Sequence, residues 1–296
     1  MQPDIPTELI RNAFTIDVED YFQVSAFESR IKRDDWPALP CRIERNLVRI
    51  LGILAEHGVQ ATFFTLGWIA ERYPRLIRDL VAQGHELASH GYAHIRVTQQ
   101  DRAAFAADIR QTKARLEDIG GVEVRGYRAA SYSIDQTCLW AHAELHDAGY
   151  RYSSSIYPIH HDLYGIPDAP RFIYRPLPDV PEFIEIPITT TEILGYRFPC
   201  GGGGYFRLYP YGLSRWAIAR VNRLDRQSAL FYCHPWEIDP EQPRPPGLSL
   251  KTRFRHYVNL HRTESRLHRL LTDFQWDRMD RIFLTDAIHP QAGADT

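Results

Sequence analysis

Residues 61–90, ATFFTLGWIAERYPRLIRDLVAQGHELASH, decide the fold class of this chain. ATFFTLG has the short apolar run of a buried strand, and HELASH at the other end predicts a second strand. Between them, WIAERYPRLIRDLVAQG predicts a helix that ends at Gly84. Pro74 lies inside the helical pattern, so the helix is expected to start there, with residues 68–73 forming a separate turn. A strand, a helix and a strand in this order predict parallel pairing through a right-handed crossover.

The alternation of strands and helices continues on both sides of this unit. Strands are predicted over 13–18, 122–129, 150–157, 183–189 and 228–238, and helices over 45–57, 101–121, 135–149, 211–224 and 254–274. We expect one α/β domain over 12–290, with an insertion rich in proline, glycine and aromatic residues near 156–210, and a disordered tail over 291–296. In such a sheet, functional residues gather at the carboxyl ends of the strands.

Composition and charge exclude several classes of function. The chain has 296 residues and a formal net charge of −2. Because no strongly basic field exists, nucleic acid is not expected as a partner, and a neutral substrate fits better. No apolar stretch approaches the roughly 18 residues of a membrane span, and the sequence does not begin with the pattern of a secretory signal. The four cysteines lie far apart without a CxxC pair, which favours isolated thiols and a cytoplasmic location.

Three carboxylates stand at the end of the first predicted strand: Asp17, Glu19 and Asp20. At a buried strand end they would repel one another unless a cation or an arginine compensates their charge. Side chains alternate along a strand, so Asp17 and Glu19 are expected to point the same way. A helix N-cap or a solvated turn explains the cluster about equally well.

The segment HGYAH places His90 and His94 four residues apart, directly after the strand HELAS. On one helical turn such a pair faces one side and can hold one cation. Taken alone, two surface histidines are the commoner explanation of this spacing. The pair lies, however, at the same predicted sheet edge as Asp17. One carboxylate and two imidazoles form a facial set that leaves metal positions open to water and substrate.

Two further predicted strand ends carry polar residues. The segment RGYRAASY, residues 125–132, supplies an arginine that could pair with Asp17 and keep it ionised, although an exposed arginine explains the segment equally well. In LFYCHPWE, His234 closes an apolar strand. This residue is a satisfied core histidine if considered alone, and a candidate general acid if it lies beside a metal.

In this order, the segments FTIDVEDYF, ELASHGYAH, GYRAASYSI and FYCHPWEID resemble the motifs of the polysaccharide deacetylases, the NodB-homology group of carbohydrate esterases. The residues of these motifs are similar to those of the exosortase-associated deacetylases of bacterial exopolysaccharide clusters. The resemblance extends over nearly the whole chain. It implies a distorted (β/α)7-type barrel and a divalent cation, most commonly zinc. It also implies hydrolysis of the N-acetyl groups of amino sugars in a polysaccharide or its precursor.

The resemblance also assigns roles to single residues. Carried over position by position, it makes Asp17 the catalytic base, His90 and His94 metal ligands, Arg128 the group that orients the base, and His234 the general acid.

Two departures from the family pattern affect this assignment. The usual adjacent pair of aspartates is here Asp-Val-Glu-Asp, so the third metal ligand is ambiguous. The alternation of side chains favours Glu19, and Asp20 is the alternative. Ser153 stands where the family usually has an aspartate that helps to hold the arginine, which leaves that contact to a neighbour or to water.

Aromatic residues and a glycine run near the same edge suggest contacts with a sugar. Tyr132, Tyr205 and Trp236 are candidates for substrate binding, and a backbone N–H near Tyr132 is a candidate for holding the oxyanion. The four glycines of residues 201–204 suggest a mobile lip over the sugar, and a flexible loop beside core aromatics explains them equally well.

Two rival functions stay open from the sequence. An allantoinase-like hydrolase of a cyclic amide uses the same barrel, often without the metal, and the intact histidine pair argues against it. A non-catalytic glycan-binding module would explain the serine at position 153. The presence of Asp17, Arg128 and His234 together argues against such a module, because binding alone requires no base, orienting arginine and acid.

Overall fold

The central strand of the fold, β1 (Arg11–Val18), is buried along almost its whole length. The computed structural model describes residues 10–162 and 164–284. A strand covered on both faces needs a nearly continuous apolar run. Residues 13–18 supply such a run, interrupted only by Thr15 and Asp17.

Further strands and helices alternate along the described residues. The strands are β2 (Thr62–Thr65), β3 (Glu86–Ser89), β4 (Gly126–Tyr127), β5 (Tyr152–Ser153), β6 (Ile184–Glu185), β7 (Thr190–Ile193), β8 (Tyr196–Pro199), β9 (Leu230–Cys233) and β10 (Gln275–Asp277). The helices are α1 (Ile43–Glu56), α2 (Gly67–Arg72), α3 (Pro74–Ala82), α4 (Arg102–Gly120), α5 (Ala141–Asp147), α6 (Gly203–Leu208), α7 (Tyr211–Arg220), α8 (Leu250–Tyr257), α9 (Leu260–Asp273) and α10 (Met279–Phe283).

One curled sheet of parallel strands forms the core of the molecule. Its order is β9, β1, β2, β3, β4, β5, β6. Ala13 pairs with Leu230 of β9 and also with Asp277 of β10, so these two strands lie on opposite sides of β1. Strand β10 therefore lies on the same side of β1 as β2. It pairs with residues 11–13 of β1, and β2 pairs with residues 15–18. Eight strands thus occupy seven positions, which confirms the predicted single α/β domain of the distorted (β/α)7 type.

The helices follow from the apolar stripes seen in the sequence. In α1, Leu47, Ile50 and Leu54 are buried on one face against the sheet, as the spacing predicted. Pro74 starts α3, because its ring fits the first helical turn and would break a longer helix. The segment before it forms the short helix α2, where a turn was predicted.

The predicted helix over 254–274 is wrong as a single element, because the chain breaks between α8 and α9. Asn259 adopts a left-handed backbone with φ of 52°. The buried guanidinium of Arg207 donates to the carbonyl oxygens of His256 and Val258, and Asn259 donates to the carbonyl oxygen of Arg207. These bonds satisfy the carbonyl groups that a helix end leaves free, so the break is stable.

Several features did not emerge from the sequence pattern. The antiparallel hairpin of β7 and β8 lies inside the segment predicted as an insertion, and β10 was not predicted. The predicted strands over 122–129 and 150–157 shrink to the two-residue strands β4 and β5. The predicted tail over 291–296 lies outside the described residues. Within the described part of the chain, no helix has the length and apolar character needed to cross a bilayer.

Candidate active site

Buried polar side chains meet at the carboxyl edge of the sheet. They come from the ends of β1, β3, β4 and β9, which parallel pairing brings together. The cleft at this edge has a volume of about 190 Å³ and is lined by Asp17, Glu19, His90, His94, Tyr132 and His234, among others. The structure therefore unites residues that lie more than two hundred positions apart in the sequence.

Glu19, His90 and His94 form the candidate metal centre. Each offers one ligand atom, and these atoms all lie within 4.8 Å of one another in a buried environment. His94 Nε2 lies 2.8 Å from a carboxylate oxygen of Glu19. His90 donates from Nδ1 to the carbonyl oxygen of Arg128 at 2.8 Å, which leaves the lone pair of its Nε2 for a ligand bond. A carboxylate and two imidazoles in this arrangement suit a divalent cation with open positions.

The electrostatics of the three side chains also suit a cation. Burial lowers the pKa of His90 to about 4, so its ring is neutral at physiological pH. Burial alone would raise the pKa of Glu19, but His94 and His234 outweigh it and hold this pKa well below its usual range. Nδ1 of His94 is buried and has no hydrogen-bond partner among the described residues. A neutral imidazole at His90 and an ionised carboxylate at Glu19 are protonation states that metal binding requires.

The two histidines do not share a helical turn, so that part of the sequence interpretation is wrong. Residues 90–94 form an irregular loop in which Gly91 and His94 have φ values of 73° and 51°. A left-handed backbone at a non-glycine residue costs roughly 1–2 kcal/mol. The loop nevertheless brings the rings of His90 and His94 to a centroid distance of 5.2 Å. The histidine pair is thus formed by a strained loop.

Asp20 lies next to Glu19 in the sequence but outside the candidate metal centre. Its carboxylate accepts hydrogen bonds from the backbone N–H groups of Tyr21, Arg42 and Ile43. Arg42 and Ile43 stand at the start of α1, where a carboxylate satisfies free N–H groups and interacts favourably with the helix dipole. These contacts at the helix start favour Glu19 over Asp20 as the third ligand.

Asp17 and Arg128 form a buried ion pair beside the three candidate ligands. Arg128 donates from Nη1 to Asp17 at 2.6 Å and to the hydroxyl of Thr15 at 2.8 Å. Burial alone would lower the pKa of Arg128, but Asp17 outweighs it and raises this pKa, so the guanidinium stays charged. The hydroxyl of Tyr132 donates to the second oxygen of Asp17 at 3.4 Å. Both oxygens of Asp17 are therefore held in fixed positions at the cleft.

Ser154 occupies the remaining side of the Arg128 guanidinium. Nε donates to the carbonyl oxygen of Ser154, and Nη2 donates to its hydroxyl, both at 3.2 Å. The hydroxyl of Ser153 bonds to that of Ser155 at 2.8 Å, and Ser155 in turn accepts from the backbone N–H of Ala129. The contact with Arg128 that the family pattern assigns to position 153 is thus made by Ser154.

Glu185 in β6 is a buried carboxylate that sequence reasoning missed. It accepts hydrogen bonds from the backbone N–H groups of Ser155 and Ile156 at 2.8 and 2.9 Å and lies 3.1 Å from Nε2 of His142. Burial alone would raise the pKa of Glu185, but His142 and the hydrogen bonds lower it. Only the pairing of β5 with β6 brings Glu185 under this loop, so no local sequence signal marks it.

His234 follows β9 and lies close to three carboxylates. Its Nε2 is 3.5 Å from Glu19 and 3.8 Å from Asp17, and its Nδ1 is 3.3 Å from Glu237. Burial alone would lower the pKa of His234, but the negative charges of Glu19 and Glu237 raise it to about 9. The imidazole stacks on the indole of Trp236 with a centroid distance of 5.2 Å. His234 is therefore placed to carry a proton into the cleft.

The predicted substrate-binding residues have separate positions. Tyr132 and Trp236 line the cleft, together with Tyr164 and Tyr232, which sequence reasoning missed. Tyr205 is not among the described residues that line it. Trp236 is only 5% exposed, so its main contacts are with the protein.

The backbone N–H of Tyr132 is already engaged. It donates to the carbonyl oxygen of Ala129 at 3.0 Å, within a turn where Ser131 and Tyr132 have φ values of 54° and 51°. This hydrogen bond removes the N–H of Tyr132 itself from the candidates for an oxyanion contact.

The glycine run does not form the predicted mobile lip. Residues 201–203 are buried, and Gly203 begins α6. A Cβ on Gly202 would lie 2.0 Å from the carbonyl oxygen of Tyr232, and one on Gly203 would lie 2.4 Å from its hydroxyl. The glycines therefore allow the chain to approach β9 closely, which no other residue type permits at this distance.

Comparison with protein-family models divides the chain in two. Residues 33–153 match the model described as polysaccharide deacetylase, and residues 154–284 match the model of a domain of unknown function (DUF3473). His90, His94 and Arg128 fall in the first match, and His234 falls in the second. Asp17 and Glu19 precede both.

Curated relatives share short segments with this chain. A chitooligosaccharide deacetylase of Rhizobium leguminosarum bv. trifolii is 42% identical over 68 residues, which are 23% of this chain and 32% of that protein. A peptidoglycan-N-acetylglucosamine deacetylase of Bacillus cereus is 32% identical over 73 residues, which are 25% of this chain and 26% of that protein. The match thus spans about a third or less of each relative's length.

Solved structures resemble the chain over most of its length. A Mycobacterium smegmatis protein named as a polysaccharide deacetylase has a TM-score of 0.59 at 20% identity, with 95% of this chain and 91% of that chain covered. The allantoinase Puue has the same TM-score at 15% identity, with 94% and 90% covered. At these identities the likeness establishes the fold.

Proposed function

We propose, starting from the match of residues 33–153 to the polysaccharide deacetylase model, that this protein removes N-acetyl groups from amino sugars of a polysaccharide or its precursor. The reaction is a hydrolysis that releases acetate and leaves a free amine. One observation carries the proposal. A buried set of three metal-ligating side chains, a carboxylate–arginine pair and a histidine share a single cleft.

Glu19, His90 and His94 are the residues that would hold a metal, and zinc is the expected cation. Their fit rests on the neutral ring of His90 and on the uncommitted Nδ1 of His94. When bound, the cation supplies Lewis acidity that polarises an amide carbonyl and lowers the pKa of a water molecule.

Asp17 is assigned as the general base. Its carboxylate lies at the cleft, fixed by Arg128 on one oxygen and approached by the hydroxyl of Tyr132 on the other. A water molecule in the cleft can pass its proton to Asp17 while its oxygen attacks the acetamide carbonyl carbon. Arg128 keeps this carboxylate in one orientation, so the proton acceptor is in place before the substrate arrives.

His234 is assigned as the general acid. As the C–N bond of the tetrahedral intermediate breaks, its Nε2 delivers a proton to the departing amine. Glu237, 3.3 Å from Nδ1, stabilises the charged imidazole before this step. Arg207 donates to Glu237 at 2.7 Å, so Glu237 remains ionised in the buried environment.

The substrate is proposed to be an amino sugar of the exopolysaccharide type on which exosortase-associated deacetylases act. The amino-acid sequences of the four motifs support this narrower class. The cleft of about 190 Å³ is smaller than the roughly 300–1,000 Å³ of typical ligand pockets, which favours entry of one sugar unit at its base. Tyr132, Tyr164 and Tyr232 offer aromatic surface and hydroxyl groups to a neutral, hydroxyl-rich ring.

Acetate release from N-acetylglucosamine oligomers tests the proposal. We expect release by the wild-type protein supplied with zinc or cobalt, and a decrease of kcat by about a hundredfold or more in Asp17→Asn, with zinc content unchanged. The matched control is Asp118→Asn, which removes an exposed carboxylate of α4 and should keep full activity. Full activity in Asp17→Asn would refute the assigned base. Retention of the glycan without any acetate release would favour a binding module.

A further inference from the structure

Helix α8 contacts two segments that adjoin residues lining the cleft. Its His256 packs against Phe27 with a ring-centroid distance of 4.5 Å, and Phe27 directly follows residues 24–26, which line the cleft. Lys251 of α8 lies 2.9 Å from Asp162, two positions before the cleft residue Tyr164. A surface that contacts α8 is therefore close to the entrance of the candidate active site.

The outer face of α8 is apolar in two places. Leu250 is 83% exposed and Phe254 is 58% exposed. Residues four apart on a helix lie one above the other, so these side chains form a single apolar stripe. The inner face is used differently, since His256 is buried under Trp236 and Phe27. Helix α8 therefore has one face packed against the protein and an apolar stripe that is exposed.

Basic side chains flank this stripe. Lys251, Arg253 and Arg255 are exposed, and α8 has no acidic residue. Among the described ion pairs, those of α8 all go to Asp162, which is shared by Lys251 and Arg255. Arg244, which stacks on Tyr257 at the end of α8, adds a fourth exposed cation. The surface around the stripe therefore has an excess of positive charge.

We propose that this face of α8 docks on an anionic lipid bilayer, so that the cleft opens toward an amino-sugar glycan attached to the membrane. Apolar side chains flanked by lysine and arginine are typical of helices that lie in a membrane interface. An acidic soluble glycan would be recognised by the cations and would gain nothing from Leu250 and Phe254. A second copy of the chain would bury the apolar stripe but would bring like charges together. The inference rests on the proposed function only for the identity of the substrate.

Co-sedimentation with lipid vesicles tests the proposal. The vesicles contain phosphatidylcholine with about one-third phosphatidylglycerol, and neutral phosphatidylcholine vesicles serve for comparison. We expect the wild-type protein to bind the anionic vesicles, less so as salt concentration rises. The double variant Leu250→Ser/Phe254→Ser should lower the partition coefficient by about tenfold or more, because both apolar side chains lose their place in the interface. Arg253→Gln should weaken binding to anionic vesicles only.

The hairpin of β7 and β8 supplies a matched control. Leu194 and Tyr196 are 93% and 73% exposed, so Leu194→Ser/Tyr196→Ser removes comparable apolar surface away from α8. This variant should bind vesicles like the wild type. Loss of binding in the hairpin variant with retention in the α8 variant would overturn the proposal, as would wild-type binding to a soluble acidic polysaccharide in place of vesicles.

Acetate release from a soluble oligosaccharide distinguishes a failure of the membrane docking from a failure of the proposed deacetylase function. Leu250 and Phe254 lie outside the proposed catalytic residues, so the α8 variant should hydrolyse the soluble substrate at the wild-type rate. Acetate release without vesicle binding would overturn the docking and leave the proposed function standing. Vesicle binding of the expected pattern without acetate release would support the docking and refute the proposed function.

Discussion

At the scale of single residues, the adjacent carboxylates Glu19 and Asp20 show how contacts separate two side chains of similar chemistry. Glu19 faces two histidines in the cleft, and Asp20 accepts three backbone N–H groups. One is placed to hold a cation, and the other holds the start of α1. Their removal should therefore differ in its effect on metal binding.

We predict that Glu19→Gln weakens zinc affinity by about a hundredfold or more, because an amide replaces one charged ligand. Asp20→Ala should instead lower the free energy of unfolding by about 1–3 kcal/mol and leave zinc affinity near the wild-type value. Calorimetric zinc titration and thermal unfolding without metal measure the two effects. The reverse pattern would show that Asp20 is the ligand.

Glu185 should affect turnover although it does not line the cleft. It fixes the backbone of Ser155 and Ile156, and this loop carries the Ser154 groups that hold Arg128. We predict that Glu185→Gln lowers kcat roughly tenfold, with KM and zinc content little changed, since only the orientation of Arg128 and its base is relaxed. Glu182→Gln, which alters an exposed carboxylate three residues earlier, is the control. Equal kinetics in both variants would refute the positioning role.

The sequence predicted much of the candidate site because its residues stand at recognisable strand ends. Asp17, Glu19, His90, His94, Arg128 and His234 are close together in the structure, as expected. It could not distinguish Glu19 from Asp20, since only the position of α1 shows which carboxylate is used as a cap. Glu185 and Tyr164 were missed because only tertiary packing brings them to the site, and no local signal in the sequence marks that packing.

At the scale of elements, the start of α6 depends on close packing against β9. A Cβ on Gly203 would lie 2.4–2.6 Å from the Tyr232 ring and hydroxyl, and the residue has φ of 55°. We predict that Gly203→Ala lowers the free energy of unfolding by about 2 kcal/mol or more, because strain and overpacking add. Gly212→Ala in α7, where a Cβ meets nothing within 4 Å, should be neutral or stabilising. Denaturant unfolding compares the two, and equal stability would contradict the packing role.

Element boundaries were predicted well where local signals are strong. Pro74 and the apolar stripe of α1 determine their helices almost alone. The break between α8 and α9 was missed because it depends on Arg207, about fifty residues away in sequence, which binds the exposed carbonyl groups. The spacing of His90 and His94 indicated a helical turn, whereas the strained loop between them is held by tertiary contacts such as the bond from His90 to Arg128.

At the scale of the whole molecule, the two family matches share one fold and one site. Strand β1 pairs with β9 and β10, and both of these strands come from the segment 154–284. His234, the proposed acid, belongs to that segment too. Neither match is therefore expected to be a complete domain without the other.

We predict that a chain ending at residue 153 does not unfold cooperatively, because β1 loses β10 along residues 11–13 and β9 along residues 13–16, and the apolar faces of the sheet become exposed. A chain ending at residue 284, which keeps every described element, should retain a single sharp transition. Thermal unfolding followed by circular dichroism compares them. A sharp transition in the shorter chain would show that the second segment is dispensable for folding.

The fold class was predictable because alternating strands and helices allow few topologies. The limits of the domain at 12 and 290 and the cytoplasmic location remain predictions. The hairpin of β7 and β8 was not predictable, since its exposed Leu194 and Tyr196 break the usual alternation of buried and polar residues.

Acetate release measured against added zinc tests the central claim most directly. Protein freed of metal with a chelator is mixed with N-acetylglucosamine oligomers, and the rate of acetate formation is followed as zinc is titrated in. We expect no acetate release without metal and a rate that saturates at one cation per chain. The His94→Ala variant should not reach the wild-type rate at the same zinc concentration. Acetate release that is independent of zinc, or none at any zinc concentration, would contradict the account.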